Sequence, residues 1–162
     1  MSTSAAFDAP DLFVPVVGFR QWALEESRLC SPFAGRPWPG PEQRAICGVG
    51  CHVPTSAPAK ECSCGIYAWY APCPVLSSVM NSLVAGVVIL WGRIELHGTG
   101  MRAAQARIVG LELPVWRGRK RRLVERVARE LGVPAVAHRK LRTLGAEHGE
   151  PIAGSFAQAL SA

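Results

Sequence analysis

The sequence predicts an α+β protein, mainly antiparallel β, with a Cys/His metal-binding loop and a C-terminal helical segment. Densely apolar and alternating segments indicate strands, and a stretch after residue 118 has helical periodicity. Five cysteine and histidine residues fall within the eighteen positions from Cys47 to Cys64. The length of 162 residues suits one domain, and thirteen prolines and sixteen glycines favour turns over long helices.

The first strands are predicted from alternation. Residues 1–14 are small and polar without periodicity, which indicates a flexible N-terminus ahead of a main domain over residues 15–114. Residues 18–24 alternate apolar with polar side chains and predict a half-buried strand, with residues 28–33 as its hairpin partner. Residues 35–41 are predicted to be a loop, because their three prolines lack backbone donors.

The middle of the chain contains the strongest strand signal. Residues 66–70 predict a short strand, and residues 75–83 a brief helix. Residues 87–96 are rich in Val, Ile, Leu and Trp and predict a strand. Because a Gly-rich turn follows at residues 97–100, we expect residues 101–113 to return as the second strand of a long hairpin.

A basic helical tail is predicted over residues 115–162, packed on or trailing the same domain. Residues 119–131 place four apolar side chains on one helical face, and Gly132 followed by Pro134 is typical of a helix end. Residues 140–147 predict a second short helix.

The net charge of +6 is concentrated in this tail. Residues 1–114 hold eight basic and eight acidic residues, whereas residues 115–148 hold ten basic and three acidic ones. The asymmetry indicates a negatively charged partner. Five cations in six residues after a tryptophan suit phosphate contact with base stacking, so we predict that these residues contact nucleic acid or an acidic partner: Trp116, Arg117, Arg119, Lys120, Arg121 and Arg122. The alternative is a solvated helix start.

The sequence predicts a cytoplasmic protein with no membrane contact. The N-terminus carries acids and lacks the basic and apolar regions of a secretory signal. Residues 71–92 are uncharged, but prolines and serines interrupt them, so a buried strand is favoured over a membrane span. Without export, the six cysteines are expected to be thiols or metal ligands.

The cysteine loop, residues 47–64, is predicted to hold zinc. Zn²⁺ prefers four Cys or His donors in tetrahedral array. Neighbouring Cys51 and His52 rarely bind one ion together, so the ligands are either Cys47, Cys51, Cys62 and Cys64 or Cys47, His52, Cys62 and Cys64. Buried thiols and disulfide or redox use are the alternatives. Four protein ligands leave no open position, so the ion is predicted to be structural and not catalytic.

A resemblance bears on this choice. The residues Trp38-Pro-Gly, Cys62-Ser-Cys-Gly-Ile-Tyr-Ala68 and Leu90-Trp-Gly-Arg93 resemble a group of uncharacterised actinobacterial proteins with a Cys-x-Cys-Gly-x-Tyr-Ala box and a downstream Trp-Gly-Arg strand. The resemblance covers roughly residues 18–113. It implies His52 as the recurrent ligand in place of Cys51, and it implies no activity.

The sequence therefore predicts a small structural-zinc interaction module that contacts nucleic acid or an acidic protein surface through its tail. A metal-dependent or Cys/His-dependent enzyme is an alternative, with Cys64 and His97, or Cys73 and His52, as nucleophile pairs. A protein–protein adaptor with a merely solvated tail is another. No phosphate-binding loop or dinucleotide motif is present in the sequence, and a non-enzymatic role is favoured.

Overall fold

A computed structural model describes most of the chain. The described residues are 7–8, 14–33, 35–48, 51, 57–60, 62–72, 82–115 and 118–153. The helix predicted over residues 75–83 falls almost wholly outside them, and residue 83 begins a strand.

The described residues form an α+β fold of nine strands and two short α-helices, which confirms the predicted class. The strands are β1 (Phe7–Asp8), β2 (Val16–Glu25), β3 (Arg28–Cys30), β4 (Glu42–Arg44), β5 (Ile66–Trp69), β6 (Leu83–Leu96), β7 (Gly100–Glu112), β8 (Ala135–Val136) and β9 (Glu150–Pro151). The helices are α1 (Arg119–Leu131) and, after a 3-10 turn at His138–Lys140, α2 (Leu141–Ala146).

The central sheet closes on itself. β6 pairs antiparallel with β2 on one side and with β7 on the other, so the predicted long hairpin is confirmed. β5 pairs with β7 and also meets β2 through Phe19 and Trp69, which completes the circuit. β1 pairs with the end of β6, a contact that the sequence analysis did not predict.

Alternation along the strands divides the apolar side chains between two clusters. Val16 and Val88 belong to the larger cluster, whereas their chain neighbours Val17 and Val87 belong to the second, which Leu141 of α2 completes. This is the consequence of side chains that point to opposite faces of a strand.

Helix α1 has the bounds that its periodicity predicted. Val124 and Val127 are buried in the larger cluster, and Gly132 ends the helix at φ 67°. Neither described helix has the length and apolar character needed to span a lipid bilayer.

The contact between β6 and β7 leaves no room for a side chain at Gly86. A Cβ atom there would lie 2.4 Å from the backbone oxygen of Gly110. We expect Gly86→Ala to lower the free energy of unfolding by about 1–3 kcal/mol, because the strand backbones must separate. Urea unfolding measures this. Gly40→Ala is the control, because a Cβ atom at Gly40 meets nothing within 4 Å; equal stability of the two variants would contradict the packing described.

Candidate metal centre

The two ends of the cysteine loop are brought together by one edge of β7. β4, just before Cys47, pairs with β7 through Arg44 and Gln105. β5, just after Cys64, pairs with the same strand through Ile66 and Ala103. Because β4 and β5 lie one after the other along this edge, the end of β4 and the beginning of β5 are close together, and so are the two ends of the loop between them.

Four cysteines converge there. The Sγ atoms of Cys47, Cys51, Cys62 and Cys64 all lie within 4.8 Å of one another. A tetrahedral zinc site with Zn–S distances of about 2.3 Å requires sulfurs about 3.8 Å apart, so a small inward movement of the side chains suffices. All five described cysteines are thiols and not disulfides. The group could therefore hold a metal ion.

Backbone hydrogen bonds shape this loop around the sulfurs. The Cys51 N–H donates to the Gly48 oxygen over 3.2 Å, and the Cys62 N–H donates to the Ala59 oxygen over 3.1 Å. The Gly48 N–H donates to Cys64 Sγ over 3.2 Å. This hydrogen bond orients the Cys64 side chain within the loop.

The thiols of this group differ in acidity. Hydrogen bonds with the backbone at Cys64 and Ala59 lower the pKa of Cys62 to about 7. Partial desolvation, followed by hydrogen bonding to and repulsion by Cys51 and Cys62, raises the pKa of Cys47 to about 12. Four sulfurs this close cannot all ionise without a compensating positive charge, which a divalent cation supplies.

A buried ion pair on the β6–β7 hairpin anchors the C-terminal part of the cysteine loop, near Cys62 and Cys64. Arg102 of β7 and Glu95 of β6 lie opposite one another in the hairpin, with 6% and 2% exposure. Arg102 Nε donates to Glu95 Oε2 over 2.6 Å. The rest of the guanidinium donates to loop carbonyls: to the oxygens of Cys62 and Cys64 from Nη1 and of Ala59 from Nη2.

Arg102 therefore acts as a rigid fork between the sheet and the loop. Burial lowers the pKa of Arg102, but the hydrogen bond and the attraction of Glu95 outweigh it, so the pKa lies above its usual value. This pair was not predicted from the sequence. A signal existed in Glu95 and Arg102, two opposite charges at equal distance from the centre of the predicted turn, each between apolar neighbours.

The structure brings together the ligand set that contains Cys51. His52, the ligand that the resemblance implies, lies outside the described residues, and so does Cys73. The choice of His52 stays a prediction. Cys30, which the loop does not include, is buried, and desolvation followed by the nearby Glu25 raises its pKa.

The cations of the predicted partner surface are divided between two environments. Trp116 and Arg117 lie outside the described residues. Arg119 and Arg122 are exposed.

Arg121 is half-buried in an ion pair with Glu125, with 3.2 Å between Nε and Oε1. Burial lowers the pKa of half-buried Lys120, and the Glu112 charge opposes that shift.

An exposed basic stripe results along α1. Arg126 and Arg129 are also exposed, and their spacing continues the face that Arg119 and Arg122 begin. Steps of three, four and three residues keep side chains on one side of a helix. Neither Arg126 nor Arg129 was among the residues predicted to contact a partner, although the same spacing was available to find them. We call the four residues the basic stripe.

Comparison of the chain with protein-family models, with curated proteins and with solved structures gave no match.

We expect Arg102→Ala to lower the free energy of unfolding by about 3–5 kcal/mol, because it leaves Glu95 buried without its counter-charge and three loop carbonyls without their donor. Chemical denaturation of the purified protein measures the loss. Arg107→Ala is the matched control, since Arg107 lies on the same strand and is exposed. Similar losses in both variants would contradict an anchoring role for Arg102.

Proposed function

We propose that this chain is a structural-zinc interaction module whose basic helix binds an anionic macromolecule, with nucleic acid as the first candidate. The observation that carries the zinc assignment is the convergence of four cysteine sulfurs within 4.8 Å. Thiolate ligands select zinc among the common divalent ions, and a four-sulfur shell is typical of structural sites.

A structural role for the ion is supported by the surroundings of the loop. Cys62 and Cys64 are two residues apart, and both carbonyls accept hydrogen bonds from Arg102. Four protein donors complete a tetrahedral shell, which leaves no position for a substrate. The ion would cross-link the segments next to β4 and β5, so its binding energy becomes folding energy.

Purified protein is expected to contain about one zinc ion per chain. Cys62→Ser combined with Cys64→Ser removes two donors and should abolish stoichiometric zinc, measured by elemental analysis. Cys30→Ala is the control, because that buried thiol lies outside the four-sulfur group and its loss should leave the zinc content unchanged.

The fourth ligand is tested by comparing Cys51→Ser with His52→Ala. Loss of zinc in the first variant alone supports the four-cysteine set, and loss in the second alone supports the ligand that the resemblance implies. Wild-type protein that contains no transition metal would overturn the zinc assignment.

The first half of the basic stripe, Arg119 and Arg122, supports the partner assignment, because cations in the first turn of a helix do not favour its stability. The first turn of α1 contains no acidic residue, and Gly118 provides no side-chain cap. Cations at a helix N-terminus oppose the helix dipole, and a capping side chain would add stability. Basic residues placed there are better explained by contact with phosphates or carboxylates.

Replacement of three stripe residues by glutamine (Arg122→Gln, Arg126→Gln and Arg129→Gln) is expected to weaken binding to a DNA duplex. The plot of log K against log salt has a negative slope, and its magnitude should decrease by about two to three. Each lost phosphate contact lowers that magnitude by about 0.9. Fluorescence anisotropy at several salt concentrations measures the slope.

The matched control removes the same charge from another surface. Arg139, Lys140 and Arg142 are exposed on the 3-10 turn and α2, and their replacement by glutamine should change the slope much less. Equal effects of the two triple variants would show that DNA binding depends on the net charge of the protein and not on the position of the basic stripe. Tighter competition by an acidic peptide than by DNA would assign the stripe to a protein partner.

A further inference from the structure

A second candidate binding surface lies beside the cysteine loop. A cleft of about 1150 Å³ opens between β5, the segment that joins β3 to β4, and the β6–β7 turn. Cys62 and Cys64 form part of its wall, so the folded loop is needed to complete the cleft. None of the residues of α1 lines it, which separates this surface from the basic stripe.

The cleft is positively charged although this part of the chain is neutral overall. Five basic residues and no acidic residue occur among the described residues that line it. Two of the five act within the fold: Arg102 in its ion pair, and Arg20 against the face of Trp38 at 5.2 Å. The other three, Arg36, Arg44 and Lys60, are exposed at the rim.

Two aromatic rings face the same cleft from β5. Tyr67 and Trp69 alternate with the buried side chains of Ile66 and Ala68, so both rings project from one side of the strand. They are 48% and 37% exposed, and the Tyr67 hydroxyl donates to the Ser63 oxygen, which orients its ring. Phe33 at the rim is 99% exposed. Exposed large rings grouped in a concave surface are typical of a binding site.

We propose that this cleft binds single-stranded nucleic acid, with Tyr67 and Trp69 stacking on unpaired bases and Arg36, Arg44 and Lys60 contacting phosphates. Aromatic platforms within a basic groove are the means by which proteins hold single strands without reading their sequence. A duplex keeps its bases stacked within the helix and cannot use the rings. An acidic peptide would use the cations and leave the two rings without a role.

The zinc-loaded full chain is titrated into a labelled oligothymidylate, and binding is followed by fluorescence anisotropy. Trp69→Ala is expected to weaken binding about 5- to 160-fold, because one stacked base is lost. Trp69→Phe keeps a ring and should recover most of the affinity. Zinc content and circular dichroism equal to wild type show that the variants are folded.

The cations are tested by Arg44→Gln combined with Lys60→Gln, which should lower the salt slope for the single strand by about 1.4. Arg139→Gln combined with Arg142→Gln is the control with equal charge loss outside the cleft. The same affinity in Trp69→Ala as in wild type would overturn the proposal. The proposal would also be overturned if polyglutamate displaced the oligothymidylate equally well from wild type and from Trp69→Ala. That result would assign the cleft to an acidic peptide.

The same titrations separate this proposal from the proposed function of the basic stripe. Trp69→Ala should leave duplex binding unchanged, and the stripe variant should leave the effect of Trp69→Ala on the single strand unchanged. Loss of duplex binding in the stripe variant, together with oligothymidylate binding that ignores Trp69, would remove the cleft assignment alone.

Discussion

The pairing of one strand edge with two short strands determines the geometry of the whole candidate site. β4 and β5 are distant in sequence from β7, yet both bind the same edge of it. β5 closes the sheet by also meeting β2, and the two pairings together bring Cys47 close to Cys64 and place the rings of β5 at the mouth of a cleft. The cysteine loop, the cleft and the core therefore depend on the same strand pairings, and a change in the β7 register would alter all three.

The buried Arg102–Glu95 pair shows how the sheet and the loop are matched. A loop with few regular hydrogen bonds leaves carbonyl oxygens that need donors, and a guanidinium offers several in a fixed plane. Glu95 offsets the cost of burying that charge. The charge pair therefore orients the cysteine loop and also makes the fold sensitive to the loss of either partner. A lysine at position 102 has three donors on one nitrogen and could not serve the carboxylate and three carbonyls at once.

Local patterns made part of this structure predictable. Helix α1 was predictable because its periodicity, Gly132 and Pro134 lie within one short segment, and the cysteine group because its members are close in sequence. Glu95 resembled the solvent side of an alternating strand, yet it is buried against Arg102 in the structure. The cleft could not be predicted, because its basic residues come from separate segments of the chain. Acidic residues in the same segments balance their charge, so the net charge along the sequence shows no excess there.

The position of β7 in the chain has a consequence for how the protein matures. During synthesis, all the cysteines of the loop emerge before the strand that aligns its two flanks. Until β7 is complete, the strand edge that aligns β4 with β5 is missing, and the nascent thiols are exposed to oxidation. Assembly of the four-sulfur group thus belongs to a late stage of synthesis, after the second half of the hairpin has left the ribosome.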